Sequence, residues 1–174
     1  MTGHGRKYIM FELKEKVFYG VVGICEITDI AKPPITGVDG DYYYLQPIYD
    51  SRGIIYSPVN SNKVAIRSMI TQQECQKLYE RAKNCKKDEL FSGIITPQRY
   101  DEFIKSQDPL MLMQLIRSLY NIKNERAKDL RKMKSADSRI LSTARKLLYG
   151  EIAVSMGREL SEVSDELDEL LGQN

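Results

Sequence analysis

The chain has 174 residues, of which 42% are hydrophobic and 29% charged, a composition typical of one or two small domains with modest cores. No apolar run approaches the roughly 20 residues that a membrane-spanning helix needs, so we expect no membrane partner. The net charge of +2 conceals a segregation, because nine basic and three acidic residues occur between positions 123 and 146, whereas seven acids and one base follow from position 151.

The N-terminal part of the chain carries β signals. Residues 1–9 are basic and Gly-rich without the hydrophobic region of a secretory signal, and we interpret them as a flexible leader. Apolar and polar residues then alternate over 16–19 and 24–30. Two further strands, 42–49 and 53–57, are joined by a tight Asp-Ser-Arg-Gly turn in which Gly53 is free to take a positive φ. Strands at this spacing predict a small β-barrel or a strongly bent sheet.

The second strand of this hairpin stops at Pro58, which cannot donate to a ladder and therefore suits a strand end or a sheet edge. An edge strand left open serves as a template for a partner's strand. The three tyrosines at 42–44 alternate in direction, which places Tyr43 on one face and its two neighbours on the other. We therefore favour a packing role for this run over a base-stacking one.

From about residue 70 the apolar period becomes helical, so we predict an α+β chain with a β-barrel domain at 10–69 and a helical domain at 70–174. Thr71 and Glu74 have the form of a capping box, and Gly157 is predicted to end a long helix. We expect a bundle of about four helices, with Val163, Leu167 and Leu170 directed inward in the last one. The other predicted helix starts are Thr96-Pro97, Asp108-Pro109, Ser135 and Ser161.

Few residues offer catalytic chemistry. The only histidine is His4, in the leader, so no Ser/His/Asp set forms, and the glycines match no nucleotide-binding loop. The odd number of cysteines, three, without paired metal-ligand spacing indicates reduced thiols in a cytoplasmic protein, and we interpret Cys25 as a small core residue. The acids at 165–169 are more typical of a solvated helix face than of a metal site. We therefore expect no enzymatic activity, cofactor, metal or small-molecule substrate.

The basic block at 123–146 has two interpretations, a solvated helix face or a surface that contacts phosphates. A few phosphate contacts give weak, salt-sensitive affinity with little sequence specificity, so such a module needs another anchor. Two further alternatives stay open. In the first alternative, the chain is a protein-only adaptor that uses its acidic tail or its Met-rich helix. In the second, it is an RNA-binding module that uses the tyrosine strand and the basic helices.

Several segments follow one another in the order of a known family. Residues 17–25 read VFYGVVGIC, the loop ending in ITG at 35–37 precedes the tyrosine strand, and residues 55–58 read IYSP. In the C-terminal half, Arg99-Tyr100 and the segment ARKLLYGEIA at 144–153 hold corresponding places. Over about residues 10–156 the chain resembles the CarD/CdnL family of bacterial transcription regulators, whose N-terminal domain is shared with transcription-repair coupling factor.

The resemblance implies a Tudor-like barrel that pairs an edge strand with the RNA polymerase β subunit. The helical domain then contacts promoter DNA largely independently of sequence and modulates open-complex stability, in a cytoplasmic protein associated with the nucleoid through the polymerase. The polymerase-binding residues are then Lys32, Pro33, Ile54, Ile55 and Tyr56. The DNA-binding residues are then Thr96, Arg99, Lys123, Arg126, Lys132, Lys134 and Arg139.

The chain departs from the family pattern at a position of mechanistic interest. Many members place a tryptophan wedge just before the Arg-Tyr pair, whereas this chain contains no tryptophan and has Thr96 near that position. A wedge acts by inserting apolar surface at an unstacked base step, and a threonine lacks that area. Either a nearby apolar residue (Phe91, Ile94 or Ile95) replaces it, or the protein holds DNA mainly through charge.

Overall fold

The computed structural model describes residues 11–50, 53–60 and 66–172 of the chain. Five strands precede five α-helices, which confirms the predicted α+β fold. The chain divides into two compact units, Met1–Ser68 and Met69–Asn174. The predicted leader and the centre of the predicted hairpin turn, Ser51-Arg52, lie outside the described residues.

The first unit is a curled, antiparallel, five-stranded half-barrel with the strand order β4-β3-β2-β1-β5. A register shift between Ile27 and Asp29 interrupts the β2–β3 pairing. Such an irregularity bends a strand and increases its twist, which helps a small sheet to curl. The strands are β1 (Lys16–Tyr19), β2 (Gly23–Ala31), β3 (Tyr42–Pro47), β4 (Ile55–Pro58) and β5 (Ile66–Ser68).

Alternation along β3 places one of its tyrosines in the core of this unit. Tyr43 is 1% exposed and its hydroxyl accepts a hydrogen bond from the Phe11 N–H at 3.0 Å, whereas Tyr42 and Tyr44 are half-buried. Cys25 is fully buried in the same cluster. The predicted packing roles of Tyr43 and Cys25 are therefore confirmed.

The second unit is helical and contains five α-helices, against the bundle of about four expected from the five predicted helix starts. The helix predicted to start at Thr96-Pro97 opens with a 3-10 turn at Pro97–Arg99 and becomes a short α-helix at Tyr100. The helices are α1 (Gln72–Lys83), α2 (Tyr100–Lys105), α3 (Pro109–Lys128), α4 (Ser135–Met156) and α5 (Leu160–Gly172).

Three of the predicted helix ends are confirmed by their hydrogen bonds or dihedral angles. Thr71 and Glu74 form a reciprocal capping box at the start of α1. The Asp108 carboxylate accepts hydrogen bonds from the N–H groups of Leu110 and Met111 at the start of α3. Gly157 ends α4 in the left-handed conformation, with φ of 63°.

Two details of the helical prediction are wrong. Ser135 is the first residue of α4 rather than its N-cap, because the carbonyl of Lys134 already accepts the N–H of Ser138 at 3.0 Å. In α5 the buried residue of the last turn is Leu171 and not Leu170, because the inward stripe advances by four residues from Leu167.

Replacing Gly157 by alanine is expected to lower the free energy of unfolding by about 1 kcal/mol, because a Cβ is disfavoured in the left-handed region. Gly93→Ala is the matched control in the same unit, since Gly93 has no positive φ and an added Cβ meets nothing within 4 Å. Urea denaturation measures both. Equal effects of the two substitutions would contradict the assigned role of the Gly157 backbone.

Candidate docking strand and nucleic-acid interface

The outer side of β4 is unpaired within the described part of the chain, where β3 is its only neighbour. Just beyond the strand, the Val59 N–H donates to the Asp41 carbonyl at 3.0 Å, which sets the phase of the ladder. Hydrogen-bonded and non-hydrogen-bonded pairs alternate along an antiparallel ladder. The backbone N–H and C=O groups of Ser57 and Ile55 therefore point towards β3. Those of Tyr56 point to the open side of β4.

The side chains of β4 divide between two faces. Ser57 is 3% exposed and Ile55 is half-buried against the core cluster of the sheet. Tyr56 lies on the opposite face, where its ring meets that of Tyr44 edge to face, with centroids 4.8 Å apart. Of the residues predicted on this strand, Tyr56 thus presents both a backbone edge and an aromatic side chain, whereas Ile55 mainly packs inward.

The loop that follows β2 is tied to the same face by the Tyr44 hydroxyl, which donates to the Lys32 carbonyl at 3.0 Å. Desolvation, followed by the nearby Tyr56, raises the pKa of the Tyr44 hydroxyl. The Lys32 ammonium lies 3.2 Å from the Asp39 carboxylate, and Pro33 is buried. Of the two predicted loop residues, Lys32 is therefore exposed and Pro33 is buried.

Ile54 precedes β4 and is 44% exposed, which makes it an exposed large hydrophobic residue beside the open strand. Its position one residue before the strand continues the face on which Tyr56 lies. A partner strand laid along β4 would therefore meet the ring of Tyr56 and the aliphatic side chain of Ile54.

In the second unit, the predicted phosphate-binding residues surround the connection between α3 and α4. Lys123 and Arg126 lie in the last turns of α3, Lys132 and Lys134 lie in the connection, and Arg139 lies in α4. Among the described residues, no carboxylate lies within the 4.0 Å ion-pair distance of Lys123, Lys132, Lys134 or Arg139. The Arg126 Nε donates to the Lys132 carbonyl at 2.8 Å, which folds the connection back on α3.

Arg99 differs from the other predicted DNA contacts because its charge is already paired. Its Nε and Nη2 donate to the two carboxylate oxygens of Glu102 at 3.0 and 3.1 Å, and its guanidinium lies 5.1 Å from the centroid of the Phe103 ring. The hydrogen bonds from Arg99 lower the pKa of Glu102. A phosphate contact by Arg99 therefore competes with this ion pair.

A groove of about 720 Å³ brings three of the predicted residues, Thr96, Arg126 and Lys134, into one lining. Tyr100 and Asp137 also line it, and the buried Tyr100 hydroxyl donates to Asp137 Oδ1 at 3.1 Å. Burial, followed by this hydrogen bond, raises the pKa of Tyr100 to about 12. The remaining lining is mostly apolar and includes Ile94, Ile95, Pro97, Ile122 and Ile140.

The three apolar residues considered as replacements for a tryptophan differ in their exposure to solvent. Phe91 is 2% exposed and Ile95 is 9% exposed, and both belong to the core. Ile94 is 63% exposed and lines the groove. Sequence reasoning missed a more exposed residue, Leu130, whose only signal was an apolar side chain within the basic connection.

No group of three or more His, Cys, Asp or Glu residues in the described ranges is arranged to hold a metal ion. The helices of the same ranges are each too short or too polar to cross a bilayer. The described residues thus provide a strand edge in one unit and, in the other, a mostly apolar groove whose lining includes two basic residues, Arg126 and Lys134, and three acidic ones, Asp101, Glu125 and Asp137.

The family model described as the CarD-like/TRCF RID domain matches residues 11–70, a segment that contains all five strands and none of the α-helices. A search of curated proteins finds no match.

Proposed function

We propose that the chain is a transcription regulator that docks on the β subunit of RNA polymerase, because residues 11–70 match the family model of the CarD-like/TRCF RID domain, the RNA polymerase-interacting domain. The observation that carries this proposal is the open side of β4 within the matched segment. Strand addition supplies main-chain hydrogen bonds of fixed geometry, each worth about 0.5–1.5 kcal/mol net.

In this proposal the helical unit contacts promoter DNA through Lys123, Arg126, Lys132, Lys134 and Arg139. Their side chains surround one connection, and basic residues free of carboxylates are the groups that bind phosphates without reading sequence. Thr96 and Arg99 lie on the neighbouring segment, where the exposed Ile94 offers apolar surface. Charge supplies weak affinity for DNA in general, and the apolar surface favours distorted DNA.

Docking raises the effective concentration of the helical unit at the promoter, so that its weak DNA affinity suffices. A unit that binds melted DNA better than closed duplex shifts the promoter equilibrium by that difference alone. A preference of about 1.4 kcal/mol changes the equilibrium constant for opening about tenfold. The protein then acts in the cytoplasm, on the nucleoid, without chemistry on a substrate.

The test adds the full chain to RNA polymerase holoenzyme, measures binding, and then measures the lifetime of the open promoter complex after a competitor challenge. We expect binding through the β subunit and a change in lifetime of up to about tenfold. Binding without any change in lifetime would favour a protein-only adaptor. Tight binding of single-stranded RNA in the absence of polymerase binding would favour an RNA-binding module.

A further inference from the structure

The α3–α4 connection holds a leucine in a backbone conformation that glycine normally adopts. Leu130 has φ of 57°, and its N–H donates to the Ala127 carbonyl at 3.0 Å. The N–H of Arg131 donates to the Arg126 carbonyl at 2.9 Å. These two bonds form a Schellman motif, in which the left-handed position is usually a glycine because a Cβ is disfavoured there.

The side chain of Leu130 gains no packing in return. It is 96% exposed, the highest fraction among the large hydrophobic residues of the described chain. The other described non-glycine residues with positive φ differ, because Lys14 carries a charged side chain suited to solvent and Gln107 is only 7% exposed. A residue that is unfavourable both in its backbone and in its exposure points to a contact outside the chain.

The surroundings of Leu130 identify the chemistry of that contact. Five basic residues and one acid lie between positions 126 and 134. Arg131 pairs with that acid, Asp129, whereas Lys132 and Lys134 have no carboxylate within 4.0 Å in the described ranges. An apolar side chain surrounded by cations complements a nucleic acid. Its phosphates attract the cations, and the apolar faces of its stacked bases lie between those phosphates.

We propose that Leu130 inserts at a weakened base step of duplex DNA while the neighbouring lysines hold the phosphates on either side, an inference that rests on the DNA contact proposed above. Apolar side chains that enter from the minor groove unstack a step and kink the duplex. With 96% of its surface exposed, the Leu130 side chain is accessible to a partner, as insertion requires. A bilayer is the less suitable partner, because one leucine buries far less apolar surface than even a single acyl chain, which alone binds membranes only marginally.

The experiment compares the full chain with three substitutions of Leu130 in binding to a fully paired duplex and to the same duplex with a central mismatch. We expect the unsubstituted chain to prefer the mismatched duplex by about 3- to 10-fold, since a mismatch lowers the cost of unstacking. Leu130→Gly and Leu130→Asn are expected to abolish the preference, and Leu130→Met to retain it. A 2-aminopurine beside the mismatch reports unstacking directly.

Thermal unfolding separates this effect from a folding defect. Leu130→Gly removes the Cβ that is disfavoured in the left-handed conformation, so it is expected to raise the melting temperature by about 2–4 °C. The same substitution is expected to abolish the preference for the mismatched duplex. An unchanged preference in Leu130→Gly, with DNA binding intact, would overturn the inference and leave the DNA contact standing. Absence of DNA binding by the unsubstituted chain would overturn both, and Leu130-dependent binding to anionic vesicles instead would assign the Leu130 side chain to membranes.

Discussion

Replacing Tyr56 by proline is expected to weaken binding to RNA polymerase by about 10- to 100-fold while the chain stays folded. The Tyr56 N–H faces the open side of β4, so proline removes a donor that the partner strand needs and places its ring against the partner's carbonyl. Proline is tolerated on an edge strand where its missing N–H would face solvent. The expected loss corresponds to about 1.4–2.8 kcal/mol, and a titration of labelled protein with polymerase measures it.

Two matched substitutions show whether the backbone edge is responsible. Tyr56→Ala keeps the N–H but removes the ring that meets Tyr44, so the loss of binding in Tyr56→Pro beyond that in Tyr56→Ala measures the contribution of the backbone edge. Ser57→Pro removes an N–H that faces β3 and is expected to lower the stability of the sheet instead. Full polymerase binding by Tyr56→Pro would show that β4 is not the docking strand.

The sequence was sufficient to predict elements with strong local signals. The capping box at Thr71, the Asp108-Pro109 start and the Gly157 end depend on interactions within a few residues of each other, so their side-chain types identify them. The same holds for the alternation around Tyr43. These features followed from local chemistry without knowledge of tertiary packing.

Features that depend on register or on tertiary burial were not predictable in this way. The sequence placed Ile55 and Tyr56 on a strand near an edge, but only the pairing with β3 shows that Ile55 faces the core. The residues Phe91, Ile94 and Ile95 are equally apolar, and only packing distinguishes the exposed Ile94. The left-handed backbone of Leu130 was also hidden, because leucine is rarely found in that conformation.

Reversal of three basic charges is expected to lower DNA affinity by about 100-fold and to leave polymerase binding unchanged. The variant Lys132→Glu, Lys134→Glu and Arg139→Glu replaces three cations that have no carboxylate within 4.0 Å in the described ranges. Each phosphate contact releases counterions, so loss of three should reduce the slope of log affinity against log salt by about 3. Fluorescence anisotropy over a range of salt concentrations measures both quantities.

A second triple variant separates a local contact from the total charge of the chain. Lys77→Glu, Lys83→Glu and Lys87→Glu change the net charge equally, but these exposed residues lie in or just after α1, outside the basic block at 123–146. Because screening confines exposed charges to about 10 Å at 0.1 M salt, this control should lose much less affinity and keep its salt slope. Equal losses in both variants would mean that DNA responds to net charge alone, and the α3–α4 connection would then have no particular role at the promoter.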